Sequence, residues 1–175
     1  MAGTGSMGKI GIREGSIEGP YGTRIEEYSG ISGLPKRAYR VFDKVDAIND
    51  ACWTIDFTYP FAPTGASVVF YLCWQVDGLQ TGNVIFGVKG EKLAIAGTTV
   101  SFYTDTFGTV TESTVAVPTT ANSYTFTTLT CAVARFGSAT KNDTVRLCFY
   151  RKNSSASDTF AGPVKLVSVC VEDVT

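Results

Sequence analysis

From Ala51 onward the chain is written in short alternating runs. Trp53, Ile55, Phe57 and Tyr59 alternate with Cys52, Thr54, Asp56 and Thr58, and Pro60 closes the run. A period of two is the repeat of a half-buried strand, because successive side chains leave a pleated backbone on opposite faces. Ser67 to Val76 is apolar on both faces, the pattern of a central strand covered from two sides. Further strands are expected at 83–89, 93–95, 99–103, 109–117, 124–133, 144–151 and 164–171. Polar, turn-rich segments separate them, among them Asp77-Gly78, Thr81-Gly82, 138–143 and 153–157. Eight or nine strands with no strong helix predict an all-β, antiparallel sandwich. An eight-stranded jelly roll is the preferred topology because it limits exposed sheet edges.

The surface of such a sandwich is expected to be low in charge. Charged residues make up 18% of the chain, against about 25% in an average domain. Thirteen of the 33 residues from Thr98 to Thr130 are threonine, which is β-branched yet polar and suits the outer side of a strand. Fifteen Lys and Arg against sixteen Asp and Glu leave a net charge of −1, which offers no field for nucleic acid or an acidic membrane. The 175 residues suffice for one domain with its own core.

There is no histidine, so nucleophilic catalysis with an imidazole base and His-ligated metal sites are excluded. Asp56, Asp77, Asp105, Glu112, Asp143, Asp158 and Glu172 are scattered over separate strands and turns, and no pair is marked for glycoside hydrolysis. Asp143 and Asp158 lie in loops without the spacing of a calcium-binding run. Gly3-Thr-Gly5-Ser-Met-Gly8 has the spacing of a nucleotide-binding loop but no preceding strand and no βαβ unit around it. No cofactor is expected. The five cysteines, Cys52, Cys73, Cys131, Cys148 and Cys170, are odd in number and sit in apolar stretches. They read as buried reduced thiols made in a reducing compartment. No secretion signal and no membrane span is expected.

The aromatics Trp53, Phe70, Trp74, Phe86, Phe102, Phe149 and Phe160 read as core. Tyr71, Tyr103 and Tyr150 are better placed for sugar stacking or subunit contacts. Arg146 and Arg151 flank an apolar strand and read as solvated edge charges, or as an ion pair between subunits.

The first 33 residues differ from the rest. They hold nine of the 18 glycines, interspersed with single apolar, aromatic and charged side chains. Such spacing fits neither a helix nor a sustained strand, and ordering it costs about 1–2 kcal/mol of backbone entropy per residue. Residues 1–33 are therefore expected to be an extended attachment arm that orders on a partner. Its candidate partner-binding residues are Ile10, Ile12, Arg13, Ile17, Tyr21, Arg24, Ile25 and Tyr28. Residues 34–50 are a connecting segment that fits a helix or a strand, and 51–175 form the sandwich domain.

Three stretches resemble a known family. They are Phe42-Asp43 with the strands 52–60 and 68–74; the turn Thr81-Gly-Asn-Val-Ile-Phe-Gly-Val88; and the ending Asp143-Thr-Val-Arg-Leu-Cys-Phe-Tyr-Arg151, Ser157-Asp-Thr-Phe-Ala-Gly162 and 164–171. Together they resemble the β-sandwich virion proteins of tailed bacteriophages. The resemblance spans about residues 40–173, with Pro163 where that pattern carries an acid. It implies a structural domain that is not an enzyme, commonly a homotrimer, on a phage head or tail. Asp158 and Thr159 would fix a turn. A capsid decoration or cement protein, clamping the major capsid protein shell through its arm, is the leading expectation. Such a protein would reside in the virion after assembly in the host cytoplasm. The receptor-binding head of a tail fibre or spike is the alternative.

Overall fold

The computed structural model describes residues 6–10, 24–28, 37–44, 51–58, 66–93, 107–120, 123–136, 138–139 and 143–174. Among the described residues ten strands follow one another: β1 Ser6–Ile10, β2 Arg24–Tyr28, β3 Arg37–Phe42, β4 Ala51–Thr58, β5 Ser67–Gln75, β6 Asn83–Leu93, β7 Thr111–Ala116, β8 Thr125–Ala132, β9 Thr144–Arg151 and β10 Val164–Val174. One 3-10 turn, Val133–Phe136, follows β8.

The strands form two antiparallel sheets. The first runs β2-β3-β10-β5-β8, with β1 also pairing β10, and the second runs β4-β9-β6-β7. From β3 to β10 the chain crosses between the sheets at every connection except β6 to β7. Those eight strands, as β3-β10-β5-β8 against β4-β9-β6-β7, are the two interlocked Greek keys of a jelly roll. The all-β jelly-roll expectation holds.

The core follows from the period-two pattern. Trp53 and Ile55 of β4, Phe70, Leu72 and Trp74 of β5, Phe86 of β6, Phe149 of β9 and Leu166 of β10 all turn into one apolar cluster. Edge-to-face contacts lock its centre: Phe70 meets Phe149 at 5.4 Å and Trp74 meets Phe86 at 5.1 Å between ring centroids. The Trp74 indole donates to Thr127 Oγ1 at 2.8 Å, so the one polar atom of that ring is satisfied without leaving the core. The expected core aromatics hold, apart from Phe102, which lies outside the described residues.

Several local expectations change. The two short runs at 83–89 and 93–95 begin as one eleven-residue strand, β6, because Gly90 continues the ladder. A side chain at Gly90 would strike the Phe136 ring at 2.4 Å, so glycine marks a close approach there and not a break. The expected strand at 99–103 lies outside the described residues. Residues 37–42, open between helix and strand on sequence grounds, are strand β3, and Phe42 enters the core against Phe86. Two segments of the glycine-rich stretch also form strands. β1 pairs with β10 and β2 with β3, and both extend the first sheet.

The expectation of five reduced thiols is corrected at Cys52 and Cys148, which form a disulfide across 96 residues of sequence. The register of β4 on β9 sets Cys52 opposite Tyr150 and Thr54 opposite Cys148. The two cysteines thus sit diagonally on neighbouring strands with their Cα atoms 6.4 Å apart, inside disulfide reach. Cys73, Cys131 and Cys170 take no part in a disulfide.

Candidate functional site

The family-like ending of the chain folds into a tight polar hub. Arg151, at the end of β9, points inward with its guanidinium wholly buried, as is the carboxylate of Asp158. Arg151 Nε donates to Asp158 Oδ2 at 2.9 Å and Nη2 to Oδ1 at 2.7 Å, a bidentate pairing. The remaining guanidinium donors reach the Gly162 carbonyl at 2.6 Å and the Phe160 carbonyl. Asp158 Oδ2 also accepts the Ile85 amide at 3.2 Å, and Lys44 Nζ reaches Asp158 Oδ1 at 3.4 Å. Burying one carboxylate among so many donors is the usual way such a charge is tolerated.

The hub ties residues 152–163, the β9–β10 connection, to distant segments. Thr159 and Phe160 donate their amides to the Asn83 carbonyl, and Asn83 returns its own to Thr159 Oγ1 at 2.9 Å. Asn153 Nδ2 holds the Asp43 carbonyl at 2.9 Å. Gly82 lies at φ +122°, a backbone form side chains rarely take, and a Cβ there would press the Phe160 amide at 3.0 Å. Asp158 and Thr159 do fix a turn, as the resemblance implied. Arg151 was expected at a solvated edge or between subunits, and it is instead the buried centre of that turn. Its role is invisible in sequence because both flanking strand faces are needed to enclose it.

Arg146 is likewise corrected. It lies on the outer face of the second sheet, mostly buried, between Asp56 at 3.1 Å and Glu91 at 3.5 Å. On the same face the Tyr150 ring lies over Gly87, where a Cβ would come within 2.2 Å of it. Tyr150 donates to Glu112 Oε1 at 2.7 Å, and Lys152 Nζ reaches the same carboxylate at 2.8 Å. Partial burial raises the Glu112 carboxyl, but the bonds from Lys152 and Tyr150, with the Lys152 charge, outweigh it and hold it below its ordinary value. Tyr150 is thus spent on its own sheet and is not open for stacking.

The outer face of the first sheet is different in kind. In β8 the buried positions Thr127, Leu129 and Cys131 alternate with exposed Phe126, Thr128, Thr130 and Ala132. The outward partners on β5 are Cys73 opposite Phe126, Tyr71 opposite Thr128 and Val69 opposite Thr130. Beyond them β10 turns out Ser168, Cys170 and Glu172. Glu172 brings the one charge among these positions, and Tyr71 donates to it at 2.7 Å. That bond, with some desolvation and the carboxylate charge, raises the Tyr71 phenol above its ordinary value. Phe126 is 68% exposed, and Tyr124 just before it 40%.

The candidate arm residues divide into two groups. Ile10 closes β1, and Arg24, Ile25 and Tyr28 belong to β2. Ile12, Arg13, Ile17 and Tyr21 lie outside the described residues, as does Tyr103. Of the loop acids weighed for calcium, Asp158 is enclosed as above and Asp143 pairs with Lys92 at 2.7 Å. Among the described residues no three His, Cys, Asp or Glu side chains gather to hold a metal.

The site and fold define a β-sandwich of jelly-roll topology. No family model matches the chain, and no curated protein matches it. Among solved structures it is similar to the enzymatically active domain of bacteriophage CBA120 tailspike protein 4. The TM-score is 0.41 and the identity 10%, over 92% of this chain and 19% of that one. It is also similar to Caldicellulosiruptor saccharolyticus CBM27-1, solved with mannohexaose, at TM-score 0.35 and 14% identity over 85% of this chain and 80% of that one. This chain therefore spans about a fifth of the tailspike domain's length. The expectation of a protein that is not an enzyme is withdrawn on this comparison, since a structure of similar fold is itself described as enzymatically active. No activity passes to this chain from 10% identity.

Proposed function

We propose that this chain is a structural subunit of a tailed-phage virion, a jelly-roll module held against other protein subunits. The observation that carries the reading is the uncharged outer face of β8 and β5, where Phe126 stands exposed among threonines. An apolar side chain of that size in a charge-free setting suits cover by protein. Within this class we assign a capsid decoration role. A homotrimer would cement the shell, and the N-terminal residues would contact the major capsid protein. β1 and β2 tie two points of that stretch to the sandwich, so the contact falls to the linking residues 11–23, with Ile12, Arg13, Ile17 and Tyr21. A receptor-binding head on a tail fibre or spike is the second reading, favoured by the exposed pair Tyr124 and Phe126.

Immunogold labelling of virions carrying this sequence tests the proposal. Gold over the heads supports decoration, gold at the tail tip supports the spike reading, and unlabelled particles reject both. Deleting residues 1–33 tests the arm, which is wrong if the truncated protein still occupies particles at the wild-type level.

A further inference from the structure

We infer that β8 is a self-pairing edge, at which a second copy of this chain adds its own β8 antiparallel to the first. Among the described strands β8 has one hydrogen-bonded neighbour, β5. The Val133 amide donates to the Ala66 carbonyl, and the register continues from there without a bulge. In an antiparallel ladder the backbone groups alternate sides, so odd residues 127, 129 and 131 face β5. The N–H and C=O groups of Phe126, Thr128, Thr130 and Ala132 then face away from β5, on the side where no described strand pairs with β8.

Natural sheets guard such edges with lysine, proline, inward charges or bulges. β8 has none of these, and the ten residues Tyr124–Val133 carry no charge at all. A neutral strand neither repels its own copy nor offers a sign to attract a charged foreign one, which selects a second copy as the occupant. Side-chain sizes agree with a two-fold axis at Thr128. That register sets Phe126 opposite Thr130 and Tyr124 opposite Ala132 of the other copy, so each exposed aromatic ring lies over a small side chain. It also satisfies the open-edge groups of Phe126, Thr128 and Thr130 in both copies. The contact is independent of the virion assignment.

Two double variants test the inference. One carries Thr128→Lys with Thr130→Lys, the other Thr128→Glu with Thr130→Glu. Both sites are exposed, and like charges would face each other across the two-fold axis. Sedimentation velocity of the whole chain over roughly 1–100 µM, the range of modest affinities, reads the association. Wild type is expected to dimerise or to link larger assemblies as concentration rises. Each variant alone should associate at least about tenfold more weakly, and an equimolar mixture of the two should recover the wild-type behaviour. Recovery on mixing separates lost pairing from lost folding. A wild type that does not self-associate, variants that associate as wild type does, or a mixture without recovery each overturns the inference. A wild type whose only assembly is one that both variants retain also overturns it.

Discussion

Arg151 and Asp158 meet as a fully buried bidentate pair, with contacts of 2.9 and 2.7 Å, in the turn that leads from β9 to β10. Their pairing organises a connection that would otherwise carry unsatisfied carbonyls at 160 and 162 into the interior.

Removing one charge of that pair leaves the other uncompensated. Asp158→Asn is expected to destabilise the fold by about 3–5 kcal/mol, the usual cost of stranding a buried partner. Urea unfolding measures it, and a loss below about 1 kcal/mol would show that the hub contributes little.

Gly87→Ala places a methyl group where the Tyr150 ring lies, 2.2 Å from its nearest atom. The ring must swing away and give up its bond to Glu112. A cost of about 1–3 kcal/mol is expected. Adding Tyr150→Ala should make the glycine substitution nearly neutral in a double-mutant cycle, whereas additive losses would refute the ring contact.

Glu112 gives a pH signature whose sign is fixed. Its carboxyl titrates lower when folded than when unfolded, so it contributes stability above the unfolded value and loses that contribution as pH falls through the folded one. Glu112→Gln should therefore flatten the acid side of the stability profile below about pH 4.5 and cost more at pH 7 than at pH 3. Equal losses at both pH values would contradict the assignment. The carboxylate is partly solvated, so the effect is expected to be modest and to shrink in salt.

The thiol count is also specific. Unfolded without reductant, the protein should expose three reactive thiols, those of Cys73, Cys131 and Cys170, and five after reduction. Five thiols before reduction would place Cys52 and Cys148 in the reduced state.

Most of the sandwich was legible because its strands are half-buried in the simplest way. The alternation at 52–58 specifies a face, and the apolar block at 67–75 marks an inner strand of its sheet. β9 was read at its true bounds. What stayed hidden depends on partners remote in sequence. β1 and β2 carry no alternation of their own and are strands only because β10 and β3 lend them a ladder. Arg146 and Arg151 look like surface charges in a linear reading, since the acids that enclose them come from other strands and loops. The disulfide required the register of β4 on β9, which no local signal supplies.

The strand order carries a consequence for how the chain is made. β10 is the last of the ten described strands, yet it lies between β3 and β5 and also takes β1 as a partner. Asp158, just before it, is fastened to Lys44 and Ile85, 114 and 73 positions earlier. Until β10 leaves the ribosome, the first sheet is two fragments, β2 with β3 and β5 with β8, separated by a gap that only the final strand can fill. The earlier strands must wait, with their apolar faces uncovered, for the closing piece.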